Sequence, residues 1–129
     1  MDSRVKLAVG VSAVCLCGLG LAFLFAGEEV ARAIFGTPVA EPMPSLLGAA
    51  LLGFAAMNWI ARHHILGGIY GRSVVAANQM HLVIGALTLV KYGFARGASP
   101  GLWMMTALYV AGAAFFTALT MSRGLKPKA

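Results

Sequence analysis

Residues 7–27 read LAVGVSAVCLCGLGLAFLFAG, a run of 21 positions without a charged side chain. A helix needs about 20 apolar residues to cross a hydrocarbon core about 30 Å thick, so this run is long enough to span a bilayer. It is also longer than the apolar region of secretion signals, which holds about 7–15 residues. The run therefore predicts a retained first membrane span.

Three further apolar runs are of similar length. They cover residues 45–61, 73–90 and 102–121, which are 17, 18 and 20 positions long. Their apolar character is continuous and does not alternate as in barrel strands, and only helices or closed barrels satisfy the backbone in lipid. The sequence therefore predicts an all-α fold, an integral membrane four-helix bundle that occupies residues 1–129 as a single domain.

The composition of the whole chain points the same way. Of its 129 residues, 60% are hydrophobic and 11% are charged, whereas soluble domains carry about 25% charged residues. Such a chain has too little polar surface for a water-soluble globule and is too apolar for a disordered protein. Its net charge of +6 is scattered between the apolar runs, which favours membrane lipids as partners and argues against nucleic acid.

The basic residues indicate an orientation. When they are assigned to alternate sides, seven lie with the two termini and the 62–72 connection: Arg4, Lys6, Arg62, Arg72, Arg123, Lys126 and Lys128. Three lie on the opposite side: Arg32, Lys91 and Arg96. Because Lys and Arg accumulate on the cytoplasmic side, we expect both termini to be cytoplasmic in a bacterial inner membrane.

The connection between the first two spans has a different character. It begins GEEVARAIFG at residues 27–36 and continues with prolines at 38, 42 and 44. The external acidic pair, Glu28 and Glu29, falls in the first turn, where a helix dipole favours anions, and Gly36 is a suitable stop. This segment predicts a short helix at the outer membrane interface.

Polar side chains are concentrated in the third span. Asn78, His81, Gly85, Thr88 and Tyr92 follow one another at intervals of 3, 4, 3 and 4, which places them on one helical face. An ionisable or amide group in hydrocarbon is costly, so this face is expected to look inward. His81 lies about 12 Å from the start of the span, near the bilayer centre.

These residues suggest a candidate polar pocket. In an antiparallel hairpin, Asn58 of the second span and Asn78 lie at depths that match to about 3 Å. Arg62 is one turn beyond Asn58, and His81 and Thr88 complete the set. The pocket is a candidate ligand site, but a satisfied amide network between helices explains the same asparagines, and an interhelical hydrogen bond explains His81.

Three functions remain open at this point. The first is binding of a small amphipathic or lipid-like molecule, or service as an accessory subunit of a partner membrane protein. The second is a redox subunit in which His81 binds haem or carries protons. The third is a small channel or transporter, which at this size requires a homo-oligomer. No hydrolase, zinc-protease, dithiol or phosphate-loop motif occurs in the sequence, and neither a metal site nor a resident cofactor is predicted beyond the haem alternative.

Two further patterns concern helix packing and family. Alanines at 107, 111, 114 and 118 form a small-residue stripe that predicts close packing inside the bundle first and oligomerisation second. Residues 47–53, LGAALLG, lead to NWIAR at 58–62, and this stretch resembles the second helix of small bacterial four-helix membrane proteins of the DoxX-like group. The resemblance implies an inner-membrane bundle with an oxidoreductase-associated or lipophile-binding role, and it transfers no catalytic residue.

Overall fold

The computed structural model describes residues 3–65, 68–97 and 99–124, and within these ranges all regular structure is α-helical. The helices are α1 (Ser3–Phe25), α2 (Gly27–Phe35), α3 (Met43–Ala61), α4 (Gly68–Arg96) and α5 (Pro100–Gly124). Two residues of the predicted cytoplasmic set, Lys126 and Lys128, lie outside the described residues, as does the side chain of Arg123.

Four of the helices, α1, α3, α4 and α5, are long and apolar enough to cross a membrane. The predicted all-helical chain with four spans is confirmed to this extent. The third of these, α4, is longer than the apolar run at 73–90, because it begins at Gly68 and continues to Arg96. Hydropathy marks the part of a helix that suits hydrocarbon, whereas the helix ends where the backbone changes direction, here at Gly97 with a φ of 81°.

The spans associate as two pairs. α1 packs most extensively against α3, and α4 against α5, whereas contact between the pairs is sparse. The first pair meets at glycines: a Cβ added to Gly20 would lie 2.9 Å from the carbonyl oxygen of Gly48, and a Cβ on Gly48 would lie 2.8 Å from that of Gly20. Only residues without a side chain permit this approach of the two backbones.

The second pair is joined by polar side chains. Gln79 Nε2 donates to Thr117 Oγ1 at 3.3 Å, and the Thr120 hydroxyl donates to Gln79 Oε1 at 3.0 Å. Further along, the ring of Tyr109 lies directly over Gly85, in the space that a Cβ would need. Gln79 therefore faces α5, and its amide holds α4 and α5 in register.

The short helix α2 is fixed by the connection between α4 and α5. The Ser99 hydroxyl donates to the Ile34 carbonyl at 2.7 Å and accepts from the backbone N–H of Leu102 at 3.1 Å, so it also caps the start of α5. The Tyr92 hydroxyl donates to the Phe35 carbonyl at 3.3 Å. As predicted, α2 stops at Gly36, which has a left-handed φ of 75°. Its place at the membrane interface stays a prediction.

The expectation for the alanine stripe is wrong. The side chains of Ala107, Ala111, Ala114 and Ala118 are exposed, so the stripe does not pack inside this bundle. The buried face of α5 is instead formed by larger residues, namely Leu102, Met105, Tyr109, Phe116 and Leu119. Since lipid tails are as apolar as these side chains, residue size along a helix does not by itself identify the face that packs.

Candidate functional site

The centre of the candidate site is a pair of asparagines that connects the two helix pairs. Asn58 of α3 and Asn78 of α4 are fully buried. Asn58 Nδ2 donates to Asn78 Oδ1 at 2.9 Å, and Asn78 Nδ2 donates to Asn58 Oδ1 at 2.6 Å. The predicted bond across this hairpin is therefore present, as a reciprocal pair of amide hydrogen bonds.

The remaining amide hydrogens of the pair are also used. The second N–H of Asn58 is directed at the Ser12 hydroxyl of α1, 3.4 Å away, and the second N–H of Asn78 donates to the Val74 carbonyl at 2.9 Å. Each asparagine side chain has two N–H donors, so all four have partners. With no solvent exposure and no donor left over, the pair is arranged to hold α1, α3 and α4 together.

His81 lies one turn further along α4, among aromatic rings. Phe54 of α3 stacks on the imidazole with ring centroids 4.5 Å apart and an interplanar angle of 23°. On α5, the Tyr109 hydroxyl lies 3.2 Å from His81 Nε2, and the ring tautomer decides which atom donates. His81 therefore links α3, α4 and α5, as the asparagines link α1, α3 and α4.

The other predicted site residues lie elsewhere. The Thr88 side chain is exposed, and its hydroxyl donates to the carbonyl of Ile84 in its own helix at 2.8 Å. Arg62 turns away from the asparagines: its guanidinium donates to the Trp59 carbonyl, and its central carbon lies 3.7 Å from the centroid of the Trp59 ring. Glu28 and Glu29 are exposed in the first turn of α2. The structure thus brings together Asn58, Asn78 and His81, but not Arg62 or Thr88.

Three residues of this layer did not appear in the predicted set. Ser12, Phe54 and Tyr109 each contact one of its members. Two of them carried a signal in the sequence, since Ser12 is the only hydroxyl residue in the run at 7–27 and Tyr109 is the only tyrosine in the run at 102–121. Phe54 carried none, because a phenylalanine in an apolar span is ordinary.

A cleft opens beside this layer, between α1 and α5. We call it the α1–α5 cleft; its volume is about 480 Å³. Its walls include Leu16 of α1, Leu82 of α4 and Phe116 of α5, and its polar wall residues are Arg4, Ser12 and Cys15. Ser12 thus borders the cleft while its oxygen accepts from Asn58. A hydroxyl has one donor and two acceptor positions, so Ser12 keeps an O–H that can serve a ligand.

The N-terminal end of the bundle, which carries the start of α1 and the end of α3, is positively charged. The side chain of His63, just beyond α3, is exposed; partial desolvation has the largest effect on its pKa, and the positive charges of Lys6, Arg62 and His64 act in the same direction. Together they hold the pKa of His63 below its ordinary value, because each disfavours the imidazolium form.

Within residues 3–65, 68–97 and 99–124, no three His, Cys, Asp or Glu side chains come together in a group that could hold a metal ion. Cys15 and Cys17 are both free thiols. None of the protein-family models, curated proteins or solved structures compared with this chain matches it.

Proposed function

We propose that this chain is a multi-pass protein of the bacterial cytoplasmic membrane that binds a small amphipathic molecule in the α1–α5 cleft. The observation that carries the proposal is the cleft itself, since α1 and α5 leave about 480 Å³ between the two helix pairs. Drug-sized ligands occupy cavities of about 300–1,000 Å³ that are mostly apolar with a few polar groups.

The chemistry of the walls indicates the kind of ligand. Leu16, Leu82 and Phe116 would contact an apolar body, and Ser12 would donate one hydrogen bond to a polar atom at the depth of the asparagines. Arg4 lines the same cleft near the start of α1, about 12 Å of helix rise from Ser12. A molecule with an apolar body and an anionic or hydrogen-bonding end satisfies both positions.

The asparagine pair positions the wall of the cleft without contacting the ligand. It holds Ser12 beside the cleft and joins the two helix pairs whose separation creates the space. Its donors are all engaged, so the proposal assigns ligand contact to Ser12 and a positioning role to Asn58 and Asn78.

Orientation and family also belong to this proposal. The excess of Arg and Lys with the two termini supports cytoplasmic termini, and a C-terminal green fluorescent protein fusion should therefore fluoresce while an alkaline phosphatase fusion stays inactive. The DoxX-like resemblance and the role of an accessory subunit are compatible with a lipophile-binding bundle. For the haem and channel alternatives, no contact among the described residues gives specific support: His81 Nε2 faces Tyr109, and Thr88 is exposed.

The test compares two alanines on α5. Ala111 lines the α1–α5 cleft, whereas Ala107, also exposed and one turn earlier, does not. Native mass spectrometry of the protein in mild detergent should show a retained mass of a few hundred daltons. Ala111→Phe fills the cleft and should remove that mass, whereas Ala107→Phe should retain it. Wild-type protein that carries no added mass, or an Ala111→Phe variant that keeps it, contradicts the proposal.

A further inference from the structure

A second groove adjoins the α1–α5 cleft along α1, where the first half of that helix passes the end of α3, and the two share Arg4, Leu7, Val11 and Cys15 as lining residues. We call it the basic groove. It has a volume of about 690 Å³, and its lining includes Lys6, Gly10, Val11 and Val14 of α1 together with Trp59 and Arg62 of α3. Its floor is apolar and its open end is cationic. The far wall of the groove is the end of α3, whereas that of the α1–α5 cleft is α5, and only the leaflet assigned to the groove rests on the proposed function.

Arg62 is held at the mouth of the basic groove. Its guanidinium lies over the Trp59 ring and donates to the Trp59 carbonyl. The side chain of Arg62 passes above Gly10 of α1: a Cβ added to Gly10 would lie 3.9 Å from Arg62 Cδ. A guanidinium has five N–H donors, so its contact with Trp59 leaves donors for an oxyanion. The glycine and the tryptophan thus place this charge over the groove, next to α1.

Among the residues that the structure describes, every charged side chain lining the groove is basic. Lys6 and Arg4 approach from α1 and Arg62 from α3. None of the groove residues within the described part of the chain is acidic, and the carboxylates there, Glu28, Glu29 and Glu41, all lie in the segment between α1 and α3.

The length of the groove indicates which kind of molecule fits in it. Its residues on α1 run from Ser3 to Cys15, which corresponds to about 18 Å of helix rise. One leaflet contributes about 15 Å of the hydrocarbon core, whereas a partner transmembrane helix would need about 30 Å. An acyl chain with a negatively charged headgroup at the level of Lys6 and Arg62 matches both the length and the charge.

We propose that the basic groove binds an anionic phospholipid, with its phosphate on Lys6 and Arg62 and an acyl chain along Gly10, Val11 and Val14. In the proposed orientation, with both termini cytoplasmic, this is the leaflet facing the cytoplasm, where basic sites between helices bind anionic headgroups. The exposed Trp59 marks the depth of the interface, because tryptophan concentrates at the headgroup level.

The experiment measures lipid binding by native mass spectrometry, with dioleoyl phosphatidylglycerol and dioleoyl phosphatidylcholine titrated separately into the detergent-solubilised protein. Wild-type protein should prefer the phosphatidylglycerol. Lys6→Gln/Arg62→Gln should weaken its binding about 25-fold, at about fivefold per charge, without changing phosphatidylcholine binding. The matched control is Arg96→Gln, which replaces an exposed arginine at the C-terminal end of α4, outside the groove. This variant should change phosphatidylglycerol binding less than twofold. Lys6→Gln alone, about fivefold weaker, serves if the double variant misfolds.

Two further arms identify the source of the phosphate and the role of the groove. Glycerol 3-phosphate at millimolar concentration should not displace the lipid, and displacement would show that a soluble phosphate compound, not a lipid, is the ligand. Val14→Trp should weaken the binding of both lipids, because it blocks the groove. Leu21→Trp, on α1 beyond the groove, should leave the binding of both unchanged. Equal affinity for the two lipids, or undiminished phosphatidylglycerol binding by the charge variants, overturns the proposal. Ala111→Phe leaves these results unchanged, so failure here is distinct from failure of the proposed function.

Discussion

Replacement of the buried asparagines by leucine tests whether they hold the two helix pairs together. Leucine has nearly the same shape, so the change removes polar atoms without opening a large cavity. Asn58→Leu deletes both bonds to Asn78 and the longer one to Ser12. It leaves one N–H and the carbonyl oxygen of Asn78 without a partner at a position of no exposure.

The expected cost follows from these contacts. An unsatisfied buried polar group costs about 1–3 kcal/mol, and interhelical hydrogen bonds in membranes contribute about 0.6 kcal/mol each, up to about 1.7. We expect Asn58→Leu and Asn78→Leu each to lower the free energy of unfolding by about 2 kcal/mol. In the double variant no orphaned amide remains, so its cost should fall to about 1 kcal/mol for the lost interhelical bonds, below either single variant and far below the sum of about 4.

The assay is reversible unfolding in mixed detergent micelles, followed by far-ultraviolet circular dichroism, with the four proteins arranged as a double-mutant cycle. Thr88→Val is the control, because that exposed hydroxyl bonds only within its own helix, and its effect should stay within about 0.5 kcal/mol. If the two single effects simply add in the double variant, the asparagines do not act as a pair and the reasoning fails.

Three other changes have defined outcomes. Gly48→Ala places a Cβ against the backbone of α1 and should lower the free energy of unfolding by about 1–3 kcal/mol in the same assay. Gly53→Ala, whose added Cβ meets nothing within 4 Å, should be neutral or stabilising. Equal effects of the two changes would contradict the close approach of α1 and α3. In an NMR titration His63 should have a pKa below 6.5, which Lys6→Gln raises and Lys6→Arg does not; an unmoved midpoint would exclude the charge effect. Ser99→Ala should cost about 1 kcal/mol and speed hydrogen exchange in α2, and unchanged protection there would show that the cap does not fix that helix.

Some features of this protein depend only on neighbouring residues, and the sequence predicted these well. The length of an apolar run fixes the number of spans, because crossing hydrocarbon is a requirement on each segment separately. The helical period places Asn78 and His81 on one face, and the matched depths of Asn58 and Asn78 follow from rise per residue. Gly36 ends α2 as predicted, because the stop is set by one residue's backbone freedom.

The candidate site was predicted only in part. Arg62 directly follows the helix of Asn58, and periodicity predicts similar faces for both, yet its flexible side chain stacks on Trp59 instead. Thr88 follows the spacing of the polar face, but its side chain is exposed while the adjacent Leu89 is buried, and its hydroxyl donates to the Ile84 carbonyl of its own helix. A side chain's partner depends on what the adjacent helix presents at that height, which spacing along one helix does not specify.

The pattern of residues along the chain was enough to predict an all-helical protein, its four helices of membrane-spanning length and the polar positions that must be satisfied within them. Which helices pair, which face of each is covered and where space remains follow from the packing of the folded chain. In water, an apolar stripe would have marked the packed face, but a span in lipid is apolar on every side. The packed faces are fixed instead by the close backbone approach at Gly20 and Gly48 and by the amide pair of Asn58 and Asn78. Both contacts require residues of two different helices to meet.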